Sequence, residues 1–120
     1  WASWCVPCRK GNPHLLSLYK KYKDKGLEII GISDDDKNPE AWKKAIEKDG
    51  IGVWKHVLRG LKQTPEGRPD RSSSISDQYG TATLPTKILI DPQGMIIGRY
   101  GADGETDEAL DRKLAEIFGR

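Results

Sequence analysis

The chain has 120 residues, 36% of them hydrophobic, with 20 basic and 18 acidic side chains and a formal net charge of +2. That length fits one globular domain, and the near-balanced charge excludes an electrostatic footprint for nucleic acid or an anionic lipid surface. No apolar run approaches the roughly 20 residues that a membrane-spanning helix needs.

From Cys5 to Lys25, the apolar residues Leu15, Leu18, Tyr19 and Tyr22 recur at helical spacing opposite Lys20, Lys21, Lys23 and Asp24. This predicts an amphipathic helix, stopped by Gly26 and bent near residues 9–13, where Pro13 removes a backbone hydrogen bond. The segment LEIIGIS (27–33) is apolar on both alternating faces and reads as a strand buried within a sheet. Asn38 followed by Pro39 reads as an N-cap and first helical position, opening a helix whose inner face carries Trp42, Ala45 and Ile46 and which ends at Gly50. Just before that cap, Asp34, Asp35 and Asp36 read as a solvated turn in preference to a metal site.

VWKHVL (53–58) predicts a short strand, and residues 59–74 a polar loop, long for a compact domain and best taken as a surface insertion. Ser74–Tyr79 reads as a short helix. Residues 86–90 and 95–100 flank Asp91, Pro92, Gln93 and Gly94, a hairpin signal. The final helix runs from Thr106 to Phe118 with Leu110, Leu114, Ile117 and Phe118 on one stripe. No internal repeat is present. This order predicts an α/β sheet covered by helices on both faces.

The only two cysteines, Cys5 and Cys8, stand three positions apart at the start of the first helix, in WASWCVPCRK. Thiols so spaced can close a disulfide within one turn, and the first lies where unpaired helix amides favour a thiolate. Cys5 is then the better attacking sulfur, with Cys8 placed to resolve a mixed disulfide. Arg9 and Lys10 add positive charge nearby. A purely structural disulfide is disfavoured because so short a loop removes little entropy from the unfolded chain. A zinc site would need ligands beyond the pair, and only His14, His56 and scattered carboxylates are available, without a second cysteine pair. Both histidines read as surface or packing residues.

WASWCVPC resembles the W-C-x-x-C active-site segment of the thioredoxin superfamily, and TLPTKILIDPQGMIIGRYG resembles its second landmark, a cis-proline followed by a hairpin. Within that superfamily, CRKGNP, LEIIGIS and LPTKILID look most like the envelope thiol:disulfide oxidoreductases related to bacterial cytochrome-maturation proteins, especially Bacteroidetes-type forms. The resemblance implies a thioredoxin-like mixed sheet flanked by helices. It implies that Cys5 is the exposed nucleophile and Cys8 the resolving thiol, with Val6 and Pro7 tuning the reduction potential. Pro85 would be the cis-proline lying against Cys5, Leu84 would offer backbone groups to an extended substrate segment, and Trp4 would shield the disulfide. Trp1 and Trp4 also admit a plain reading as core aromatics.

Two departures stand out. Many envelope members carry a Glu three residues after the second cysteine, where this chain has Gly11, so an acid for that role must come from elsewhere. The family's central strand, lying between the strands assigned to 27–33 and 86–90, has no counterpart in this sequence. Unpaired buried edges there would cost about 1–3 kcal/mol per group. Residues 1–120 are therefore expected to be the C-terminal portion of a thioredoxin-like domain.

The function so implied is exchange of disulfides with protein thiols, as a reductant in preference to an oxidant. The redox-active Cys5–Cys8 disulfide would be its sole reactive group, without a cofactor or metal. The partners would be protein thiols or disulfides and an upstream electron donor protein. A peroxiredoxin-type peroxidase is the first alternative, disfavoured by Ala2 where such enzymes place Thr or Ser; a non-enzymatic binding module is the second. The resemblance and the restricted cysteine count favour an extracytoplasmic location in the bacterial periplasm or envelope.

Overall fold

A computed structural model describes residues 1–81, 83–102 and 104–119, apart from the Gln63 side chain. The predicted first helix forms as two segments, α1 (Val6–Lys10) and α2 (Asn12–Tyr22), joined through Gly11. Pro13 cannot donate to the Arg9 carbonyl, and the bend falls where that bond is missing. Helical bonding resumes at once, with Leu15 N–H donating to the Gly11 carbonyl at 3.1 Å. Gly26 ends the segment at φ 111°, a left-handed conformation that glycine adopts without a steric penalty.

Strand β1 covers only Ile30–Ser33 and pairs in parallel with β2 (Lys55–Leu58). It is not buried on both faces as the sequence predicts, since Ile30 is 59% exposed. The reason is one-sided pairing. On its other edge β1 meets, among the described residues, the Trp1 backbone, whose nitrogen donates to the Ile32 carbonyl at 3.0 Å and whose carbonyl accepts from Asp34 N–H at 2.9 Å. Helix α3 (Pro39–Asp49) connects β1 to β2 and is capped as predicted by the Asn38 side chain, which accepts from Ala41 N–H at 3.2 Å.

The loop from 59 to 74 is not wholly irregular. It holds a small antiparallel pair, β3 (Lys62–Gln63) and β4 (Pro69–Asp70). The turn between them closes through Thr64, whose hydroxyl donates to the Arg68 carbonyl at 2.5 Å. Helix α4 (Ile75–Gln78) follows, capped by Ser74. The hairpin of β5 (Thr86–Ile90) and β6 (Ile96–Gly101) forms as expected, its turn fixed by the Asp91 carboxylate, which accepts the N–H groups of Gln93 and Met95.

Helix α5 (Asp107–Phe118) closes the chain. Its Leu110 and Leu114 pack with Leu18 and Tyr22 of α2 and Tyr100 of β6, and Leu89 and Phe118 flank this core. Ile117, expected on the same stripe, is 45% exposed, because the buried row runs at every fourth residue through 110, 114 and 118. The fold is thus α/β of the thioredoxin type. As expected of a sheet that lacks the strand between 27–33 and 86–90, the parallel ladder and the antiparallel hairpin do not pair with each other among the described residues.

His56 of β2 is half-buried. Its Nε2 contacts the Ile51 carbonyl at 2.7 Å, and its Nδ1 finds no partner among the described residues. Burial holds this imidazole below its ordinary value, partly opposed by the Ile51 bond. The unfolded chain then binds the proton more readily, so stability is full above the ordinary imidazole value of about 6.5 and falls as pH drops below it. Chemical denaturation is expected to show a lower midpoint at pH 5.5 than at pH 7.5. His56→Asn should reduce that pH-dependent difference.

Candidate active site

Cys5 and Cys8 form a disulfide with their Cα atoms 5.3 Å apart. Their spacing makes this local: Cys5 is the N-cap of α1, and Cys8 one turn on directs its main-chain N–H at Cys5 Sγ, 3.3 Å away. That N–H belongs to the first turn, which has no carbonyl partner within the helix. Pro7 sits in the same first turn, where its missing N–H leaves nothing unpaired.

The two cysteines pack with Ala2, and Trp1 and Leu84 lie against that cluster. Cys5, expected to be exposed, is only 6% so, against 5% for Cys8. Trp1, Ala2 and Leu84 enclose the sulfurs. What separates the two is access, since Cys5 lines an open groove with Trp4, Val6, Pro7, Asp34 and Leu84, and Cys8 does not. Trp4 is no core aromatic: it is 67% exposed and forms one wall. Leu84 forms part of the groove and precedes Pro85 through a cis peptide bond. The Pro85 carbonyl accepts Ala102 N–H at 2.9 Å, which ties this loop to the end of β6.

Two features of the site lie beyond the sequence reading. Arg9, expected to lend charge to the thiol, is committed elsewhere: it grips Asp49 at the end of α3 through two hydrogen bonds, of 2.9 and 2.8 Å, and donates a weaker one to the Ser3 carbonyl. Asn12 adds a third bond to Asp49 at 3.0 Å. Arg9 holds the Asp49 carboxyl below its ordinary value, against the effect of burial.

Nor is the acidic run a solvated turn. Asp35 is 3% exposed and bonds Ser3, while Asp36 takes Arg59 Nε at 2.8 Å and the N–H groups of Gly60 and Leu61 at 3.0 Å each. Burial would raise the Asp36 carboxyl, but those donors outweigh it and hold it low. The third acid, Asp34, faces the groove and lies 3.4 Å from Arg59. The polarity of these residues suggested solvent; the end of β1 instead turns them toward Ser3 and Arg59. His14 reaches Asp111 at 2.6 Å and ties α2 to α5, away from the groove residues.

The Arg9–Asp49–Asn12 cluster joins α1, α2 and α3. Asp49→Ala leaves the guanidinium and the amide without their acceptor, and we expect a loss of about 1–3 kcal/mol in urea unfolding at pH 7. Because the folded carboxyl is held low, this contribution is present above the ordinary carboxyl value of about 3.9 and is lost as pH falls below it. The difference between wild type and variant should therefore shrink at pH 3.

A disulfide across the first turn of a helix, with a loop beside it that enters a strand through a cis-proline, defines a protein of the thioredoxin class. The thioredoxin-like family profile matches residues 1–96, and the chain belongs to that family. A thiol-disulfide oxidoreductase from Bacteroides fragilis superposes with a TM-score of 0.74 at 38% identity, over 98% of this chain and 76% of the other. The thioredoxin domain of a thiol-disulfide oxidoreductase from Bacteroides vulgatus gives a TM-score of 0.76 at 32% identity, over 99% and 75%. Thiol-disulfide oxidoreductase ResA of Bacillus thuringiensis is 33% identical over 117 residues. That match takes in 98% of this chain but 60% of the relative, so the chain spans well under two thirds of that protein's length.

Proposed function

We propose that the protein is a thiol:disulfide oxidoreductase that reduces disulfides in other proteins through Cys5 and Cys8. The observation that carries this reading is the Cys5–Cys8 disulfide with one of its sulfurs, and not the other, in the wall of an open groove. The likeness to oxidoreductases of Bacteroides and Bacillus supports it.

In the reduced protein the Cys5 thiolate accepts the Cys8 N–H. It attacks one sulfur of a substrate disulfide, joining Cys5 to that sulfur and expelling the other as a thiolate, which takes a proton from water. Cys8 then gives up its proton to solvent and attacks Cys5 Sγ, re-forming the Cys5–Cys8 bond and releasing the second substrate thiol. Two electrons pass from the pair to the substrate. Leu84 and the exposed Trp4 supply the contact surface for an extended substrate segment, and Val6 and Pro7, in the turn between the sulfurs, tune the potential. An upstream donor protein restores the dithiol. The work is done outside the cytoplasm, where protein disulfides persist.

The test is turnover of a protein disulfide with dithiothreitol as the electron source, set beside turnover of hydrogen peroxide. Catalysed disulfide reduction without peroxide consumption is expected. Peroxide turnover without disulfide reduction would establish the peroxidase alternative instead.

A further inference from the structure

Apart from the Cys5 sulfur, the groove wall is apolar at Trp4, Val6, Pro7 and Leu84, and Asp34 is its single charged residue among the described residues. Asp34 directly follows β1, and its N–H donates to the Trp1 carbonyl at 2.9 Å, which fixes its main chain beside the segment leading to Cys5. A substrate seated in the groove would strip water from this carboxylate. That costs free energy unless the substrate brings a partner for it.

The partners Asp34 already has leave room for another. Arg59 Nη1 stands 3.4 Å from its Oδ2, and the Ser76 hydroxyl donates to its Oδ1 at 3.4 Å. Charge-assisted contacts normally close to about 2.7–2.9 Å, and a carboxylate offers about four lone-pair sites. Arg59 makes its close contact with Asp36, at 2.8 Å, and Asp36 also takes the Gly60 and Leu61 amides. Asp35 is filled by Ser3 and Ser33. The Trp1 amino group also faces these acids, but it donates to the Ile32 carbonyl, and burial holds it below its ordinary value. It is therefore a weakened counter-charge. Arg9 is committed to Asp49, and Lys10 and Lys48 line a separate surface hollow.

Trp4 supplies the second half of a recognition site. Its ring is 67% exposed in the same groove, and an open indole face attracts a cation. A guanidinium can stack its plane on such a ring while its edge donates to a carboxylate, a combination that an ammonium does not match. We infer that Asp34 is a specificity-determining residue of the groove and that, together with Trp4, it selects substrates carrying an arginine beside the disulfide to be reduced. This rests on the proposed reduction of protein disulfides at Cys5 and concerns the choice of substrate. A purely structural pairing of Asp34 with Arg59 would affect every substrate alike.

The test follows reduction, with dithiothreitol as electron source, of synthetic pentapeptides whose one cysteine is held in a mixed disulfide with 2-mercaptoethanol. They differ at one residue, Arg, Lys, Leu or Glu, placed before the cysteine in one set and after it in the other. Each catalysed kcat/KM is divided by the rate constant of the same peptide with dithiothreitol alone, which removes the effect of the neighbouring charge on the disulfide itself. In at least one set the Arg peptide should exceed the Leu peptide about tenfold, with Lys between them and Glu lowest. Asp34→Asn keeps the size of the side chain and removes its charge, so the Arg to Leu ratio should fall to within twofold of one. A wild-type ratio within twofold of one in both sets would overturn the inference. So would a ratio that survives Asp34→Asn while all substrates slow alike. A reading on the unmodified protein guards against misfolding of the variant: about 0.5 M sodium chloride should at least halve the Arg preference, and a preference indifferent to salt would also overturn the inference. If no peptide is reduced faster than by dithiothreitol alone, the proposed function itself fails, and this inference with it.

Discussion

Cys8→Ser is expected to turn the protein into a trap, arrested as a mixed disulfide joining Cys5 to its substrate. The first attack needs only the groove-facing sulfur of Cys5, and release needs a second sulfur within bonding distance of the first. A serine hydroxyl cannot displace the substrate thiolate, so the intermediate should accumulate and be visible on non-reducing gels as a band that dithiothreitol abolishes. Cys5→Ser, by contrast, should leave Cys8 behind Ala2, Trp1 and Leu84, where it meets no substrate. Turnover should then fall by on the order of 10³-fold or more, the loss typical of removing a catalytic nucleophile. Both variants should remain folded, since the exchanged atoms are similar in size. A binding module holding the cysteines as a clasp would lose neither activity nor partner in either variant, and would yield no trapped species.

Gly101→Ala is expected to be the most damaging single change outside the cysteines. Gly101 ends β6 at φ 114°, a left-handed conformation costly for any residue with a Cβ. The added carbon would collide with the Pro85 carbonyl oxygen and lie 3.3 Å from Thr86 Cα. Both neighbours are backbone and cannot swing aside. We expect a loss of about 2–4 kcal/mol from left-handed strain and overpacking together, read as a lowered urea midpoint. The damage should reach function as well. Pro85 can yield only by moving its carbonyl away from Ala102, and Leu84 on the groove wall moves with it, so substrate reduction should slow even where the variant is folded. A loss under about 1 kcal/mol would mean that the close approach of β6 to the Leu84–Pro85 loop is looser than described.

Where the information is local, the sequence was a good guide. The cap at Asn38 acts through its side chain bonding the amide three residues on, and the hairpin turn at Asp91–Gly94 closes on itself. The cysteine pair was legible for the same reason: its spacing of three is one helical turn. Pro85 was found only through resemblance, because nothing in its own neighbourhood requires a cis bond. The rest of the site depends on partners brought together across long stretches of chain. Asp35 meets Ser3 from 32 residues away and Asp49 meets Arg9 from 40, so a run of three aspartates read as solvated, and Arg9 as a charge free to act on the thiol. The burial of Cys5 was missed on similar grounds. It depends on Leu84, 79 positions later in the chain, and on a bend that lays Trp1 and Ala2 over the sulfurs. The burial expected of β1 depended on having two neighbouring strands, and pairing geometry is absent from a hydrophobic pattern.

The central claim is that access divides two almost equally buried sulfurs, giving Cys5 the chemistry. It is tested most directly by reducing the protein, adding a limiting amount of iodoacetamide and mapping the label by peptide mass spectrometry. Cys5 should be modified at least about tenfold faster than Cys8, the difference expected between a thiolate open to the groove and a buried thiol. Equal labelling of the two residues, or labelling of Cys8 first, would contradict it.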